Sequence, residues 1–449
     1  MTHTNLFEAL GWKKGAGEQE ARSSLPEVHK SIAIPKHYSF FRKLLVFAGP
    51  GFMVAVGYMD PGNWATDLAG GSKFGYDLLF VILLSNCFAM ILQHLALKLG
   101  IVTGRDLAQI CRDKYSKPTA IFLWLMAEIM IIACDLAEVI GSAIALKLLF
   151  GIPILAGVII TAADVLIILL LQRKGFRYIE AVVITLIATI TLSFIVELFL
   201  SGPAAIPLLQ GFLPGANLFL NPEMLYIGIG ILGATVMPHN LYLHSAVVQT
   251  RNYEETEEGK REAVKFATID STVALSLALF VNAAILIVSA ATFHFSGHTG
   301  VAEIEDAYKL FAPLLGTGAA SILFAVALLA SGQNSTLTGT LAGQVIMEGF
   351  INLRVKPWVR RIITRLMAIV PAVAVIAIYG SSGLTSLLIL SQVVLSIQLS
   401  FAVFPLIIFT GSKKVMGVFA NSRVLKILSW VVALIIAGLN VWLVANILF

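Results

Sequence analysis

Long apolar blocks separated by short polar loops constrain the fold of this chain more than any other feature. A transmembrane helix needs about 20 mostly apolar residues, and eleven segments of the chain meet that length. Their approximate bounds are 44–68, 77–99, 119–149, 153–171, 178–200, 223–250, 265–293, 311–346, 360–379, 385–409 and 424–448. These runs are continuous, which excludes a transmembrane β-barrel, whose strands alternate. Because only 13% of the residues are charged, a soluble globular chain is excluded as well. We predict an all-α membrane protein with eleven transmembrane helices.

The lysines and arginines predict how these helices are oriented. Of the 31 basic residues, 28 lie in the N-terminal tail or in the alternate loops that share its side; the exceptions are Lys73, Lys147 and Lys309. Because basic loops favour the cytoplasm, we predict a multi-pass protein of the cell (inner) membrane with its N-terminus cytoplasmic and its C-terminus outside. The net charge of +5 is therefore a topology signal, and we expect the lipid bilayer rather than nucleic acid as partner.

Several classes of protein are disfavoured by what the sequence lacks. Cys87, Cys111 and Cys134 have no paired spacing, so neither a disulfide framework nor a Cys-x-x-Cys metal motif is expected. Phosphate-binding loops, kinase motifs and nucleophile constellations are missing, so we expect that the protein is not an enzyme. We also expect no cofactor and no obligate protein partner. Residues 1–43 are polar, lack a signal-peptide pattern, and are expected to form a mobile cytoplasmic tail.

Two of the predicted spans carry a proline in the middle of the membrane. The first reads Gly57-Tyr58-Met59-Asp60-Pro61-Gly62-Asn63 and the sixth reads Ala234-Thr235-Val236-Met237-Pro238-His239-Asn240. The offset of five spans places the two copies in opposite orientations. Proline frees nearby carbonyls from helix bonding, which hydrocarbon tolerates only where the backbone lines a cavity. Ordinary kinks are the alternative, but paired interruptions at matching positions indicate a transporter's binding site.

The residues at these two interruptions predict what the site binds. Asp60 lies near the bilayer centre, where an unpaired carboxylate costs at least about 2.5 kcal/mol. Asn63 adds an amide oxygen, Met237 a thioether, and the backbone near Ala234 a carbonyl. Sulfur biases such a set toward Mn²⁺ or Fe²⁺, with Cd²⁺ as a soft mimic, and away from Mg²⁺ and Ca²⁺. A methionine that merely packs, or a sodium-coupled amino-acid site on the same fold, is the alternative.

Acidic side chains along the third span predict a route for protons. At 100° per residue, Glu128, Asp135 and Glu138 fall within about 80° of one another on one helix face. The alternative is structural pairing with arginines that enter the ninth span from the same side, namely Arg360, Arg361 and Arg365. Both interpretations can hold, because a buried ion pair can also relay protons.

Two histidines of the sixth span extend this prediction. His239 lies at the interruption, and His244 follows Met237 by seven residues, on the same helix face. Either can shuttle a proton near neutral pH or simply form a packing hydrogen bond. Asp60 is a further candidate for taking the proton when metal leaves.

At these residues the chain resembles the natural resistance-associated macrophage protein (Nramp) family of proton-coupled divalent metal transporters. The blocks Asp60-Pro61-Gly62-Asn63 and Met237-Pro238-His239-Asn240 match its two signature helices, and Gly49-Pro50-Gly51-Phe52 and Gly332-Gln333-Asn334-Ser335-Thr336 look like family blocks. The resemblance covers roughly residues 44–410. It implies an inverted-repeat fold of the LeuT type, with repeats at 44–200 and 201–409 and a loop and eleventh helix at 410–449.

The resemblance also implies individual roles. Family metal ligands carry over onto Asp60, Asn63, Ala234 and Met237, with a further backbone carbonyl from Gly57, where the family often has alanine. Gln392 looks like the residue that closes on the metal. Proton movement is implied for the positions of Asp60, Asp135 and Glu138, and less clearly for His239. A second departure is Ser400, where the family often has proline.

Three functions are compatible with these features. A proton-coupled importer of divalent metals is the first, and a cation-coupled amino-acid or nucleobase symporter on the same fold is the second. A membrane sensor for metal that transports nothing is the third. The thioether of Met237, a donor that suits transition metals, favours the first of these functions, the metal importer.

Overall fold

Helices dominate the architecture, as the apolar runs predict. The computed structural model of the chain describes residues 13–14, 24–26, 28–35, 38–161, 175–215, 217–301, 303–354, 357–379 and 383–448. Strands occur in these ranges only as four two-residue segments. They are β1 (Lys13–Lys14), β2 (Ile32–Ala33), β3 (Arg251–Asn252) and β4 (Leu353–Arg354).

Eight helices form the first half of the described chain. They are α1 (Phe40–Phe47), α2 (Pro50–Gly57), α3 (Pro61–Phe74), α4 (Leu79–Thr103), α5 (Leu107–Lys114), α6 (Lys117–Phe150), α7 (Ile154–Thr161) and α8 (Phe176–Ser201). The side chain of Ser116 caps α6 by accepting a hydrogen bond from the backbone of Thr119. The helix ends at Gly151, whose φ of 70° suits glycine.

Eleven helices form the second half. They are α9 (Ala205–Gly211), α10 (Asn217–Leu220), α11 (Pro222–Thr235), α12 (Pro238–Val247), α13 (Glu257–Thr292), α14 (Ile304–Leu315), α15 (Gly318–Ile351), α16 (Pro357–Tyr379), α17 (Leu384–Thr410), α18 (Lys413–Met416) and α19 (Arg423–Leu448). Short 3₁₀ turns follow α12, α13 and α18.

The number of membrane spans is lower by strict length and hydropathy than the sequence predicts. Among the described residues, eight helices are long and apolar enough to cross a membrane, or nine if α1 and α2, which meet at 44°, form one span. Helix α7 covers only the start of the predicted fourth span, and 162–171 lie outside the described residues. Helix α16 has a shorter apolar stretch, Ile362–Ile376. The protein is thus a multi-pass membrane protein, and the count of eleven stays a prediction.

Small residues let the central helices approach closely. A Cβ atom at Gly141 of α6 would overlap the ring of Pro61, and one at Gly332 of α15 would lie 3.4 Å from Ser142 Cβ. Helix α6 therefore packs directly against both the start of α3 and the middle of α15, as small residues allow in membrane bundles. Large apolar side chains on the periphery, such as Phe199 at 83% exposure, point away from this core, as lipid contact requires.

The basic loops meet at one end of the bundle, which we call the basic end. Tyr253 donates a hydrogen bond to the carbonyl of Ile101, and Lys98 donates one to Asn421 Oδ1. These contacts join the end of α4 to two loops that the charge pattern places on the same side. Which face of the membrane the basic end occupies remains a prediction.

Parts of the N-terminal tail, namely 24–26 and 28–35, pack against the basic end, which differs from the expectation of a mobile tail for these residues. Leu25 is buried, Ser24 donates a 2.6 Å hydrogen bond to Asp106, and β2 pairs in parallel with β3. Burial raises the pKa of the Asp106 carboxyl to about 6, although hydrogen bonds from Ser24 and Gln109 act in the opposite direction. The tail is held by residues more than 80 positions away, which local sequence patterns do not reveal.

An ion-pair cluster at the basic end anchors the junction of α1 and α2. Arg251 donates a 2.6 Å hydrogen bond to Glu180 and another to the carbonyl of Ala48. Asp270 accepts from the backbone of Gly49 and of Gly51, the latter at 2.7 Å. Gly49 has a φ of 139°, and a Cβ atom there would overlap the Glu180 carboxylate. The cluster therefore sets where the first interrupted span begins.

Candidate metal site and proton pathway

The first interruption separates α2 from α3. Helix α2 ends at Gly57, Tyr58 and Met59 form a tight turn, and Asp60 is the N-cap of α3. The fully buried Asp60 carboxylate accepts hydrogen bonds from the backbone of Asn63 at 2.9 Å and from Gln392 Nε2 at 3.5 Å. An acidic N-cap is favourable at a helix start. The local sequence thus explains both the break and the position of its charge.

The second interruption separates α11 from α12. Helix α11 ends at Thr235, and Met237 is the N-cap of α12 with φ −70° and ψ 120°, without a side-chain capping bond. Ala234 and Met237 are both fully buried. Here the proline and an extended N-cap residue break the helix, and the buried N-cap position carries a thioether instead of a carboxylate.

The two carbonyls predicted to bind metal share one local cause. In a continuous α-helix, each would accept a hydrogen bond from the residue four positions later. For Gly57 that residue is Pro61, and for Ala234 it is Pro238. Because proline has no N–H group, both carbonyls lose their helical partner at the interruption.

The residues Gln392 and Asn240 connect the two interruptions. The side chain of Gln392, on α17, reaches Asp60, and its backbone carbonyl occupies the space where Gly233 of α11 would carry a Cβ atom. Asn240, on α12, lies against Gly57, since a Cβ atom at Gly57 would sit 3.1 Å from Asn240 Cγ. The predicted ligands Gly57, Asp60 and Gln392 are therefore linked by direct contacts to both interruptions.

Several buried polar atoms around the interruptions have no hydrogen-bond partner among the described residues. They are Asn63 Oδ1, Gln392 Oε1, Thr235 Oγ1, His239 Nδ1 and both polar atoms of the Asn240 carboxamide. Buried polar groups are normally satisfied, so such a cluster requires an explanation such as an ion or water. The carboxamide oxygens of Asn63 and Gln392 belong to the predicted ligand set.

The possible metal-donor atoms at the two helix interruptions are of different chemical types. Within the described ranges, no three His, Cys, Asp or Glu side chains lie close enough together to hold a metal ion. The arrangement instead offers one carboxylate, carboxamide oxygens, backbone carbonyls and one thioether. A hard–soft mixture of this kind suits borderline divalent transition metals better than Mg²⁺ or Ca²⁺.

Of the three arginines considered for Glu128, the structure selects Arg360. Its Nη2 atom donates to both carboxylate oxygens, at 3.0 and 2.9 Å, and Trp124 Nε1 donates a further 3.0 Å hydrogen bond. The prediction of an arginine partner for Glu128 is confirmed. The side chain of Arg361 lies outside the described residues.

Glu138 pairs with another arginine, which the sequence interpretation did not assign to it. Arg365 Nη1 lies 3.5 Å from Glu138 Oε2, and the Thr336 hydroxyl donates to the same oxygen at 3.1 Å. Arg365 also donates to the backbone carbonyl of Asp135 at 3.3 Å. Asp135 and Glu138 are both fully buried. The two acids and Arg365 therefore form one buried charged group between α6, α15 and α16.

His244 belongs to a polar chain that starts at the first interruption. Its Nδ1 atom and Gln93 Oε1 are 2.9 Å apart, and Gln93 Nε2 donates to the Tyr58 hydroxyl at 2.8 Å. His239 lies at the second interruption and is buried. The two histidines thus occupy different surroundings, and only His244 joins a hydrogen-bonded series toward the basic end.

Sequence reasoning gave no role to three residues of this region, Gln93, Asn240 and Thr336, and it named Arg365 only as one of three candidate partners for the acids of α6. Thr336 ends a block that resembles the family, and Asn240 repeats the position of Asn63 after a proline, so both carried a signal. Gln93 carried none, and the pairing of Arg365 with Glu138 could not be assigned, because both depend on which helix faces which.

Fold and site together define a class: a multi-pass helical membrane protein that encloses a polar site between two interrupted helices, as secondary transporters do. Comparison with known proteins places the chain within that class. It belongs to the family described as natural resistance-associated macrophage protein-like (Nramp), which matches residues 51–446.

Relatives and solved structures agree with this assignment. The divalent metal cation transporter MntH of Nostoc sp. is 62% identical over 424 residues, covering 94% of this chain and 96% of the relative. That of Listeria innocua is 61% identical over 432 residues, covering 96% of each. The manganese transporter of Eremococcus coleocola is 44% identical with a TM-score of 0.87, over 93% of this chain and 90% of the other. These relatives are named as transporters rather than enzymes. A nucleobase-cation-symport-1 family transporter, 13% identical with a TM-score of 0.57, covers 96% of each chain and shares the fold alone.

Proposed function

We propose that the chain imports Mn²⁺ and Fe²⁺, and accepts Cd²⁺, by alternating access coupled to proton movement. The bacterial relatives named above are divalent metal cation transporters, and the solved structure of similar fold is a manganese transporter. The substrates are the metal ion and the proton, and no resident cofactor is invoked.

The observation that carries this proposal is the position of Asp60. Its carboxylate is fully buried at a helix interruption, next to carboxamide oxygens without partners. An ionised carboxylate in such a place is costly unless a cation offsets it. The thioether of Met237 at the opposite interruption adds a soft donor, which favours transition metals over Mg²⁺. Gly57, Asn63, Ala234 and Gln392 would complete the ligand set.

Proton coupling is proposed for a group of residues distinct from most of the ligands. Two ion pairs lie along α6, Glu128 with Arg360 and Glu138 with Arg365, and Arg365 also donates a hydrogen bond to the backbone carbonyl of Asp135. Buried ion pairs in membrane helices are typical of proton relays. We further assign His239 and His244 to this path, with Asp60 as the group that exchanges a proton for metal.

The proposed location is the bacterial cell membrane, with eleven spans, a cytoplasmic N-terminus and an external C-terminus. The predicted inverted repeats, 44–200 and 201–409, would then rock around the shared site. Reporter fusions after residues 43 and 449 test the topology: a cytoplasm-dependent reporter is expected to be active only at the first position.

Transport in proteoliposomes tests the function directly. Purified protein is reconstituted with a metal-sensitive dye or a pH-sensitive dye inside, and Mn²⁺ or Mg²⁺ is added outside. We expect Mn²⁺ accumulation that an inward proton gradient accelerates, internal acidification that depends on Mn²⁺, and little Mg²⁺ uptake. Binding of Mn²⁺ without accumulation would indicate a sensor. Uptake of an amino acid or nucleobase without Mn²⁺ uptake would favour the second class of symporter.

A further inference from the structure

Asn240 has no role in the proposed ligand set, yet it occupies the position in α12 that Asn63 occupies in α3. Each asparagine follows its N-cap residue by three positions, and each backbone N–H bonds back to that residue. Asn63 N donates to Asp60 Oδ1 at 2.9 Å, and Asn240 N donates to the Met237 carbonyl at 3.2 Å. Both side chains therefore lie about one helical turn beyond the N-cap.

The side chain of Asn240 is completely buried and unsatisfied. Its exposure is 0%, and neither Nδ2 nor Oδ1 has a hydrogen-bond partner among the described residues. A carboxamide can accept two hydrogen bonds and donate two, and leaving all of them unmade in a buried place is destabilising. A residue that served only packing would be better replaced by an apolar side chain of similar volume.

The carboxamide fills the space that glycine leaves at position 57. A Cβ atom at Gly57 would overlap Asn240 Nδ2, and it would lie 3.1 Å from Cγ and 3.3 Å from Oδ1. Gly57 is also the residue whose carbonyl loses its helical partner to Pro61. The unsatisfied carboxamide of one interruption thus lies against the residue of the other whose carbonyl has lost its helical partner.

We propose that Asn240 supplies its carboxamide oxygen to the divalent cation held between the interruptions, through the space that Gly57 leaves open. This inference rests on the proposed function, because it adds a ligand to that same site. A 180° rotation of the carboxamide exchanges Nδ2 and Oδ1, so the oxygen can take the position beside Gly57 that Nδ2 now occupies. An additional hard oxygen favours Mn²⁺ over Cd²⁺ and opposes the bias of the Met237 thioether.

Equilibrium binding of Mn²⁺ and of Cd²⁺ to the purified full-length protein in detergent tests the proposal. The variants are Asn240→Ala, Asn240→Asp and Gly57→Ala. We expect Asn240→Ala to raise the Kd for Mn²⁺ about 10-fold, an effect the size of a lost supporting ligand, with a smaller change for Cd²⁺. Asn240→Asp keeps an oxygen and is expected to restore Mn²⁺ binding. Gly57→Ala leaves Asn240 in the sequence but displaces its carboxamide, so it should shift the same Mn²⁺ to Cd²⁺ ratio.

Gly438→Ala is the matched glycine control, since no atom lies within 4 Å of a Cβ atom there, and it should change neither Kd. The proposal is overturned if Asn240→Ala and Gly57→Ala leave the Mn²⁺ to Cd²⁺ ratio unchanged. It is equally overturned if Asn240→Ala weakens both metals alike and Asn240→Asp does not restore Mn²⁺. If Asn240→Ala fails to elute as a folded protein, Gly57→Ala decides alone. Wild-type protein that binds neither metal would instead refute the proposed function.

Discussion

The two helix interruptions are built alike but are held in different ways. Each has proline as the first residue of the new helix, an extended N-cap residue before it, and asparagine three positions after the N-cap. Asp60 caps its own helix and accepts a hydrogen bond from Gln392, whereas Met237 makes no capping bond. The N-cap side chain of the first interruption is therefore held by hydrogen bonds to its carboxylate, whereas the Met237 side chain at the second makes no capping bond.

This difference matters because α3 and α12 both start at the site. The N-terminal end of a helix carries a partial positive charge, which repels cations, whereas the C-terminal end offers carbonyl oxygens. The ends of α2 and α11 provide those carbonyls, and Asp60 provides the only full negative charge among the six predicted ligands. Under the proposed function, this comparison predicts that the first interruption decides whether a cation binds and that the second decides which cation is preferred.

Removing the charge should give the largest effect. In Asp60→Ala, the neutral donors that remain cannot offset a desolvated dication, so we expect Mn²⁺ uptake to fall by at least about 100-fold, corresponding to roughly 3 kcal/mol. Proteoliposome uptake measures this, with Glu257→Ala at an exposed position of α13 as a carboxylate control. Uptake near the wild-type rate in a correctly inserted Asp60→Ala protein would refute the site assignment.

Disturbing the bond between Gln392 and Asp60 should have the next largest effect. A Cβ atom at Gly62 would overlap Gln392 Nε2 and lie 2.8 Å from its Cγ, so Gly62→Ala must move Gln392. Overpacking of this kind costs about 1–3 kcal/mol, and we expect Mn²⁺ affinity to fall about 10-fold. Affinity equal to that of wild type would mean that Gln392 does not take part in binding.

Removing the Met237 sulfur should change the preference among metal ions more than the capacity for metal transport. Met237→Leu keeps most of the side-chain volume, whereas Met237→Ala also leaves a cavity, so the pair separates ligation from packing. We expect both variants to lose Cd²⁺ affinity, by about 10-fold, while Mg²⁺ or Ca²⁺ gains relative access. Competition of each cation against Mn²⁺ uptake is the measurement. An unchanged Cd²⁺ to Mg²⁺ preference in both variants would show that Met237 only packs.

Changes to the acidic residues of α6 should have the smallest effect on metal binding. Neutralising Asp135 to Asn together with Glu138 to Gln removes two buried carboxylates of α6, one of which pairs with Arg365. We expect proton flux to fall strongly while the Mn²⁺ Kd changes by less than about threefold, since separate sites contribute nearly independently. Metal-dependent acidification and metal uptake are measured in the same liposomes. If the double variant acidifies as wild type does, protons leave through Asp60 and the histidines of α12.

The helical segments and the two interruptions could be predicted because their causes are local. Apolar runs of sufficient length fold as helices in any membrane environment, and proline breaks backbone hydrogen bonding wherever it stands. The face shared by Glu128, Asp135 and Glu138 also follows from helix periodicity alone. The sequence could narrow the partner of Glu128 to three arginines, but the packing of α16 against α6 selected Arg360.

Other features could not be predicted because they depend on contacts between distant segments. Ser400, in place of the family proline, lies within the continuous helix α17, and its hydroxyl accepts a 3.1 Å hydrogen bond from Asn440 of α19. Nothing near Ser400 in the sequence indicates that partner. The contacts of Ser24, Leu25 and β2 likewise depend on Asp106, Glu348 and β3, which lie on other parts of the chain.

The sequence by itself determined that the chain is a helical membrane protein, where two of its helices break, and which donor atoms those breaks carry. These properties depend on hydropathy, proline chemistry and side-chain type, each of which acts within a few residues. Only the tertiary structure decided that Gln392 bonds to Asp60, that Asn240 fills the space beside Gly57, and that Arg365 pairs with Glu138. Those contacts join helices far apart in the chain, and they are selected by close packing of the whole bundle, in which a single missing Cβ atom decides which side chain can approach.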